Sequence, residues 1–310
     1  MLKTEQIQDL ELDLLIKAIK DVYGHDFSGY SRESFSRRVQ KGLKELQLDH
    51  ISEIIPLVLH DSCLYDRFFL NLSVNVTEMF RNPSFFLFLR EQILPLFKDY
   101  AVIKFWLAGC STGEEVYSLA ILLKEENLYD RALIYATDFN EEVLRKAQDG
   151  IYALGPVREY QRNYRAAGGK ASFADYCTSD EKSIIFDRSL KRNIIFSLHD
   201  LTEGREFSKV DILICRNVMI YFDKPLKEKV FNLFAGSLLE NGFLCLGISE
   251  SLRHSTAYTE FETFSEPFKI YRKKVEKHSS VNPLLNQNTT HSQLLTDSSY
   301  QLLMDDDEFN

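Results

Sequence analysis

The chain has 310 residues, 45% of them hydrophobic and 27% charged, with a net charge of −9. A chain of this length can bury a full core and hold more than one domain. The acidic balance excludes a nucleic-acid binder that works through a global basic field, though not a local basic face. No apolar run approaches membrane-spanning length, and the start, Met1-Leu-Lys-Thr-Glu5, lacks the basic-then-apolar pattern of a signal peptide. The expected compartment is therefore the cytoplasm, without membrane insertion. Cys63, Cys110, Cys177, Cys215 and Cys245 are scattered and form no C-x-x-C pair. Three of them sit in apolar strand-like runs and read as small core residues, and neither a disulfide nor a metal site is expected.

Residues 5 to about 75 read as helical. Leu10, Leu14 and Ile19 suggest the apolar stripe of a first amphipathic helix. Ser31 opens another, with Phe35, Val39, Leu43 and Leu46 on one face. On the opposite face lie Arg37, Lys41 and Lys44, with Arg38 nearby. That stripe reads either as a solvated face or as a docking surface. The segment Asn75-Val-Thr-Glu-Met-Phe-Arg81 follows at the junction with the next region, where sites often close. It reads equally as a linker with a cap at Thr77.

From about residue 100, strands and helices alternate, which implies a parallel sheet covered on both faces. Expected strands are Ile103 to Leu107, Leu133 to Thr137, Asn193 to Ser197, Val210 to Cys215 and Phe243 to Ile248, with a late strand at Phe268 to Tyr271. Expected helices are Glu114 to Glu126, Asn140 to Gln148 and Pro225 to Leu239. Between Gly150 and Arg192 the order is less regular, and Ser183 to Phe186 with Arg188 to Arg192 suggest part of a small inserted sheet. Past Lys274 the composition turns to Ser, Asn, Gln and Thr and ends in Asp305-Asp-Asp-Glu308, the signature of a disordered acidic tail.

In an open parallel sheet, ligands bind at the carboxyl ends of the strands. The first strand delivers Gly109-Cys-Ser-Thr-Gly-Glu-Glu115. Its glycines allow a tight turn close to a ligand, and Ser111 or Thr112 can cap the helix that follows. Glu114 and Glu115 in the first helical turn would repel a pyrophosphate but attract an ammonium or sugar hydroxyls. The ligand suggested is nucleoside-like and phosphate-free, and S-adenosylmethionine fits. Asp138, at the end of the second strand, can accept both ribose hydroxyls. Asp200 can accept from an adenine amino group with Leu201 packed on the ring. The strand ending at Cys215 delivers Arg216, Asn217 and Tyr221.

Asn75-x-Thr77-x-x-Phe80-Arg81, Ser111-Thr-Gly-Glu-Glu115-x-Tyr117-Ser, Ala136-Thr-Asp138, Cys215-Arg-Asn-Val-Met-Ile-Tyr-Phe222 and Gly247-x-Ser249-Glu250 resemble, in order, the motifs of CheR-type chemoreceptor glutamate methyltransferases. The resemblance spans nearly all of residues 10 to 273. It implies an α/β fold in which a Rossmann-like S-adenosylmethionine-dependent methyltransferase domain with a small inserted β-subdomain follows a small all-α domain. The boundaries expected are 1–75 for the helical, substrate-docking domain, 76–275 for the methyltransferase domain with its insert around 170–192, and 276–310 for the tail. Carried over by position, Asn75, Thr77, Arg81, Glu115, Asp138, Asp200, Leu201, Arg216 and Asn217 would line the cofactor site, with Arg81 and Tyr221 nearest the transferring methyl. The substrate implied is a glutamate of a chemoreceptor's cytoplasmic helices, converted to a methyl ester with release of S-adenosylhomocysteine. Arg37, Arg38, Lys41 and Lys44 would then dock against an acidic receptor helix. Met79 and Asp200 depart from the family's frequent Phe and Asn, both tolerably.

The protein is expected to act as a monomer, with no nucleic acid as partner. The nicotinamide-dependent oxidoreductases share the strand, turn, helix and Asp138, but the chain has no G-x-G-x-x-G there, and Glu114 and Glu115 oppose a pyrophosphate. A nucleic-acid methyltransferase would more often carry a Pro-Pro-aromatic run at 216–221. The remaining alternative is a non-catalytic S-adenosylmethionine-binding interaction module of the same fold.

Overall fold

The computed structural model describes residues 3–72, 77–204 and 207–275. Asn75 and the tail from residue 276 lie outside the described residues.

Four helices come first: α1 (Thr4–Tyr23), α2 (Arg32–Leu46), α3 (Ile51–His60) and α4 (Ser62–Leu72). α1 stops at Gly24, whose φ of 80° is left-handed and whose N–H closes back on the Lys20 carbonyl. Its buried stripe is Leu12, Leu15 and Ile19. Leu10 and Leu14, expected on that stripe, are 51% and 49% exposed, so the buried face is rotated from the one anticipated. The Leu12-Leu15-Ile19 series has the same helical spacing, and packing against α3 selects it. α2 buries Phe35, Val39 and Leu43 as expected. With Phe27, Tyr65 and Phe68, these residues form a core separate from the two that flank the sheet.

The second region begins with α5 (Pro83–Phe88), which runs through a π-helical turn at Leu89–Ile93 and a 3-10 turn at Leu94–Phe97 into β1 (Ile103–Ala108). There follow α6 (Glu114–Glu125), β2 (Ala132–Asp138), α7 (Glu141–Asp149), β3 (Ile151–Ala153), α8 (Val157–Ala166), β4 (Cys177–Ser179), β5 (Ser183–Phe186), β6 (Ile194–Leu198), β7 (Val210–Cys215), α9 (Lys224–Ser237), β8 (Leu238–Leu246), β9 (Phe261–Ser265) and β10 (Ile270–Lys273). The main sheet has seven strands in the order β6-β2-β1-β7-β8-β10-β9. The first five are parallel, and β10 runs antiparallel to both its neighbours. β1 and β7 consist almost wholly of buried residues, as strands covered on both faces must. Strand order reverses between β1 and β7, so the loops leaving their carboxyl ends splay apart and open a crevice there.

The inserted sheet has three antiparallel strands in the order β3-β5-β4. It begins at Ile151, ahead of the expected range, and residues 188–190 form a 3-10 turn instead of a strand. Phe186 from β5 stacks on Tyr117 of α6 at 4.8 Å, which fixes the insert to the main body. A buried Glu125 carboxylate receives the Tyr164 and Tyr176 hydroxyls and the Lys170 N–H and pairs with Arg90, tying α6, α8 and the insert together.

The helical and α/β regions are joined by backbone as well as side chains. Tyr30 and Phe222 form an isolated antiparallel bridge. The Ser31 N–H donates to the Tyr221 carbonyl at 2.8 Å, and the Asp223 N–H donates to the Gly29 carbonyl at 2.9 Å. A side chain at Gly29 would meet Leu226 at 2.9 Å, so glycine permits the close approach. Among the described residues, no helix is long and apolar enough to cross a membrane.

Candidate functional site

One cleft gathers most of the residues that the sequence singles out. It opens above the carboxyl ends of β1, β2, β6 and β7 and is lined by Thr77, Arg81, Glu115, Asp138, Asp200, Leu201, Arg216, Asn217 and Tyr221, together with several side chains not anticipated.

The floor is the turn after β1. Gly109 has φ 75°, and a Cβ on it would lie 2.5 Å from Val218 Cγ2, so only glycine lets the β1 and β7 loops come this close. The Gly109 and Cys110 N–H groups both reach the Thr137 carbonyl, at 2.8 and 2.9 Å. Neither Ser111 nor Thr112 caps α6, whose N-cap is Gly113. Thr112 Oγ1 donates to Glu114 Oε2 at 2.6 Å instead, and Glu114 turns into the protein, where burial raises its carboxyl pKa. The two adjacent carboxylates therefore part company. Only Glu115 faces the cleft, and it does so in an ion pair with Arg216.

Asp138 closes the end of β2. Its Oδ2 accepts the Ser111 N–H at 2.8 Å and its Oδ1 the Asn140 N–H at 3.0 Å, which aims the carboxylate across the mouth of the turn. It is 7% exposed, and burial pushes its pKa up to about 6 despite those bonds. Asp200, beyond the end of β6, caps a short 3-10 turn by accepting the Thr202 N–H at 2.8 Å. It lines the cleft next to Leu201.

The loop after β7 forms the opposite wall. The Arg216 guanidinium pairs with Glu115, donates to Asn82 Oδ1 at 2.8 Å and to the Arg81 carbonyl at 3.3 Å, and lies 4.1 Å from the Phe85 ring centroid. It thereby ties the linker region, α6 and β7 into one unit. Asn217 adopts a left-handed φ of 62°, one of the few such non-glycine positions. Tyr221 ends the loop in a 3-10 turn with Met219 and Ile220.

The fourth wall comes from the helical region. Tyr30 and Arg38 both line the cleft. Arg38, expected near the basic outer face of α2, is only 7% exposed. Its Nη1 donates to the Leu72 carbonyl and its Nε to the Ser34 carbonyl, while its guanidinium lies 5.0 Å from the Tyr221 ring centroid and 5.5 Å from that of Tyr30. The correction has a simple cause: Arg38 sits three residues beyond Phe35 and beside Val39, at the edge of the buried stripe. Arg37, Lys41 and Lys44 are exposed on the outer face, apart from the cleft. Phe139, His199, Val218 and Phe222 complete the lining. Val218 and Phe222 belong to the Cys215–Phe222 motif, while Phe139 and His199 were signalled only by adjoining Asp138 and Asp200; Tyr30 had no signal.

The lining has the character of a nucleoside site. It carries three arginines, Arg38, Arg81 and Arg216, against three carboxylates, Glu115, Asp138 and Asp200, which is no cradle for a polyanion. The Ser111 hydroxyl and Arg38 Nη2 are buried without a hydrogen-bond partner, as groups reserved for a ligand would be. Acidic acceptors at the ends of β2 and β6 suit a ribose diol and an amine, and Leu201 and Val218 offer apolar surface for a base. These features fit S-adenosylmethionine.

Comparison with known proteins agrees. Residues 10–73 match the family described as CheR methyltransferase, all-alpha domain, and residues 75–267 match CheR methyltransferase, SAM binding domain. The Cher3 protein of Pseudomonas putida is 43% identical over 270 residues, covering 87% of this chain and 99% of that one. A chemotaxis protein methyltransferase of Listeria innocua is 30% identical, covering 81% of this chain and 95% of its own. The chemotaxis protein methyltransferase of Salmonella typhimurium is 29% identical over 81% of this chain and 90% of its own.

Proposed function

The chain belongs to the CheR methyltransferase family, and we propose that it transfers a methyl group from S-adenosylmethionine to glutamate side chains in the cytoplasmic helices of chemotaxis receptors, leaving glutamate methyl esters and S-adenosylhomocysteine. Sensory adaptation in the cytoplasm is the corresponding biological role. The observation that carries this reading is the convergence of Asp138, Arg216, Asn217 and Tyr221 in one cleft to which the helical region contributes Tyr30 and Arg38.

S-adenosylmethionine supplies a methyl group activated by its sulfonium. Asp138 would hold the ribose hydroxyls, Asp200 and Leu201 the adenine, and Thr77, Arg81, Glu115, Arg216 and Asn217 the remainder; Asn75 completes the set by position in the motif. An acceptor glutamate has a pKa of about 4.3 and is already ionised at neutral pH, so the protein need not remove a proton from it. What the residues must do is align the carboxylate and keep water out. Tyr221 suits the first task. Burial raises its hydroxyl pKa although Arg38 and Arg81 oppose the rise, so it stays protonated and can donate a hydrogen bond to an incoming carboxylate. Arg81 supplies positive charge beside it. Arg37, Lys41 and Lys44 would receive the acidic receptor helix outside the cleft.

The test incubates the protein with methyl-labelled cofactor and receptor cytoplasmic fragments and follows label that base releases as methanol. Wild type should transfer and Asp138→Ala should not. No transfer to any receptor, or equal transfer by the variant, overturns the proposal; cofactor binding without turnover would mark a non-catalytic module instead. Reversing Arg37, Lys41 and Lys44 to glutamate should weaken receptor methylation at low salt about tenfold or more while leaving cofactor binding intact.

A further inference from the structure

We propose that Glu250 is a positioning residue for the methyl-transfer reaction, acting as a buried carboxylate clamp on the loop that carries Tyr221; the inference rests on the activity proposed above. Glu250 is 4% exposed. Its Oε2 accepts the Gly247 N–H at 2.6 Å and the Asn217 N–H at 3.1 Å, and its Oε1 accepts the Ile220 N–H at 3.3 Å. One carboxylate thus joins the end of β8 to both ends of the Asn217–Ile220 segment that follows β7. Main-chain N–H groups of a loop in irregular conformation have no strand or helix partner, and a buried anion satisfies several of them at once.

The surrounding backbone is arranged to admit the clamp. A Cβ at Gly247 would lie 2.7 Å from Glu250 Oε2 and 2.9 Å from the Asn217 nitrogen, so the carboxylate reaches the loop only past a glycine. Asn217 holds φ 62° at the start of the clamped segment, a conformation that costs energy for a residue with a side chain. The two ends of the loop differ in what else secures them. Arg216, at the cofactor end, is pinned by Glu115, Asn82 and Phe85 independently of Glu250. Ile220 and Tyr221, at the acceptor end, are held by Glu250, by the Ser31 N–H, by the Tyr221 N–H donating to the Val218 carbonyl at 3.2 Å and by Arg38 beside the Tyr221 ring. Of these, only Glu250 ties them to β8. Loss of the clamp should therefore affect turnover more than cofactor binding.

The experiment uses the full chain with Glu250→Gln, which keeps the size but sets an NH2 group against N–H donors, and Glu250→Asp, which keeps the charge on a shorter arm. With S-adenosylhomocysteine bound, amide hydrogen exchange at 217–221 in Glu250→Gln should quicken at least about tenfold while α6 is unchanged. The S-adenosylhomocysteine dissociation constant should move less than about threefold and kcat should fall at least about tenfold, with partial recovery in Glu250→Asp. Unchanged loop exchange overturns the proposal. So does a uniform rise in exchange with parallel loss of cofactor binding and melting temperature, since that marks a merely structural residue. The exchange measurement needs no acceptor, so a wild type that methylates nothing would sink the proposed activity without touching the clamp.

Discussion

Asp138 has a titration with a consequence for ligand binding. Its carboxyl is raised by burial from an ordinary 3.8 to about 6, so the folded, ligand-free protein holds this proton more tightly than the unfolded chain does. Its contribution to stability is fully present below about pH 3.8 and is lost as pH rises through about 6. Hydroxyl groups of a ribose need the ionised form as acceptor, so cofactor affinity runs the other way. Calorimetry should show the S-adenosylhomocysteine association constant dropping by up to about tenfold per unit below pH 6, and Asp138→Asn should bind more weakly with that dependence gone. Arg216 makes a second residue-level prediction. Lysine cannot pair with Glu115, bond Asn82 and cover the Phe85 ring together, so Arg216→Lys should lose about 1.5–3 kcal/mol by denaturant titration and bind S-adenosylhomocysteine about tenfold more weakly. Asp138 and Arg216 could be placed in the cleft from the sequence because they stand at the end of an apolar strand or directly after one, and Tyr221, further along the loop, because it belongs to the Cys215–Phe222 motif. Tyr30 was not legible, since nothing local marks an aromatic residue that meets its cleft-lining partners far along the chain. Glu250 was legible as part of a motif but not in its role, which depends on a bond to a neighbouring strand's loop.

At the scale of elements, the β1 turn is set by a steric limit. Gly109→Ala places a methyl against Val218 and forces a left-handed φ on alanine, so it should cost about 1–3 kcal/mol and push the two walls of the cleft apart. Thermal melting would show the first effect and weakened S-adenosylhomocysteine binding the second; binding at wild-type strength would place the ligand elsewhere. The buried strands β1 and β7 could be read as apolar runs, and α2 and α6 from their spacing. The three-residue strands β3 and β4 are too short to carry a periodicity, and β9, with Glu262 and Thr263, lacks an apolar run. α1 misled for a different reason: leucines and isoleucines occupy two faces, and only the position of α3 decides which is buried.

At the scale of the whole molecule, the helical region is part of the cleft wall and is held there by the Gly29–Ser31 and Tyr221–Asp223 backbone bonds. Ser31 has φ −53°, which proline accepts, but Ser31→Pro both deletes the N–H donor and sets the ring Cδ against the Tyr221 carbonyl that accepted it, so the clasp must open there. It should lose about 3 kcal/mol or more of stability and bind S-adenosylhomocysteine severalfold more weakly as Tyr30 loosens. An unchanged dissociation constant would show that this wall does not touch the ligand. The same clasp bears on biosynthesis. Residues 29–31 leave the ribosome early, and their partners at 221–223 emerge only after most of the chain has been made. The helical region has a core of its own, yet Tyr30 waits for Phe222, and Arg38 for the Tyr221 ring, through most of elongation. A nascent chain stalled before Tyr221 would lack one wall of the cleft, so cofactor capture would report that synthesis has passed that point.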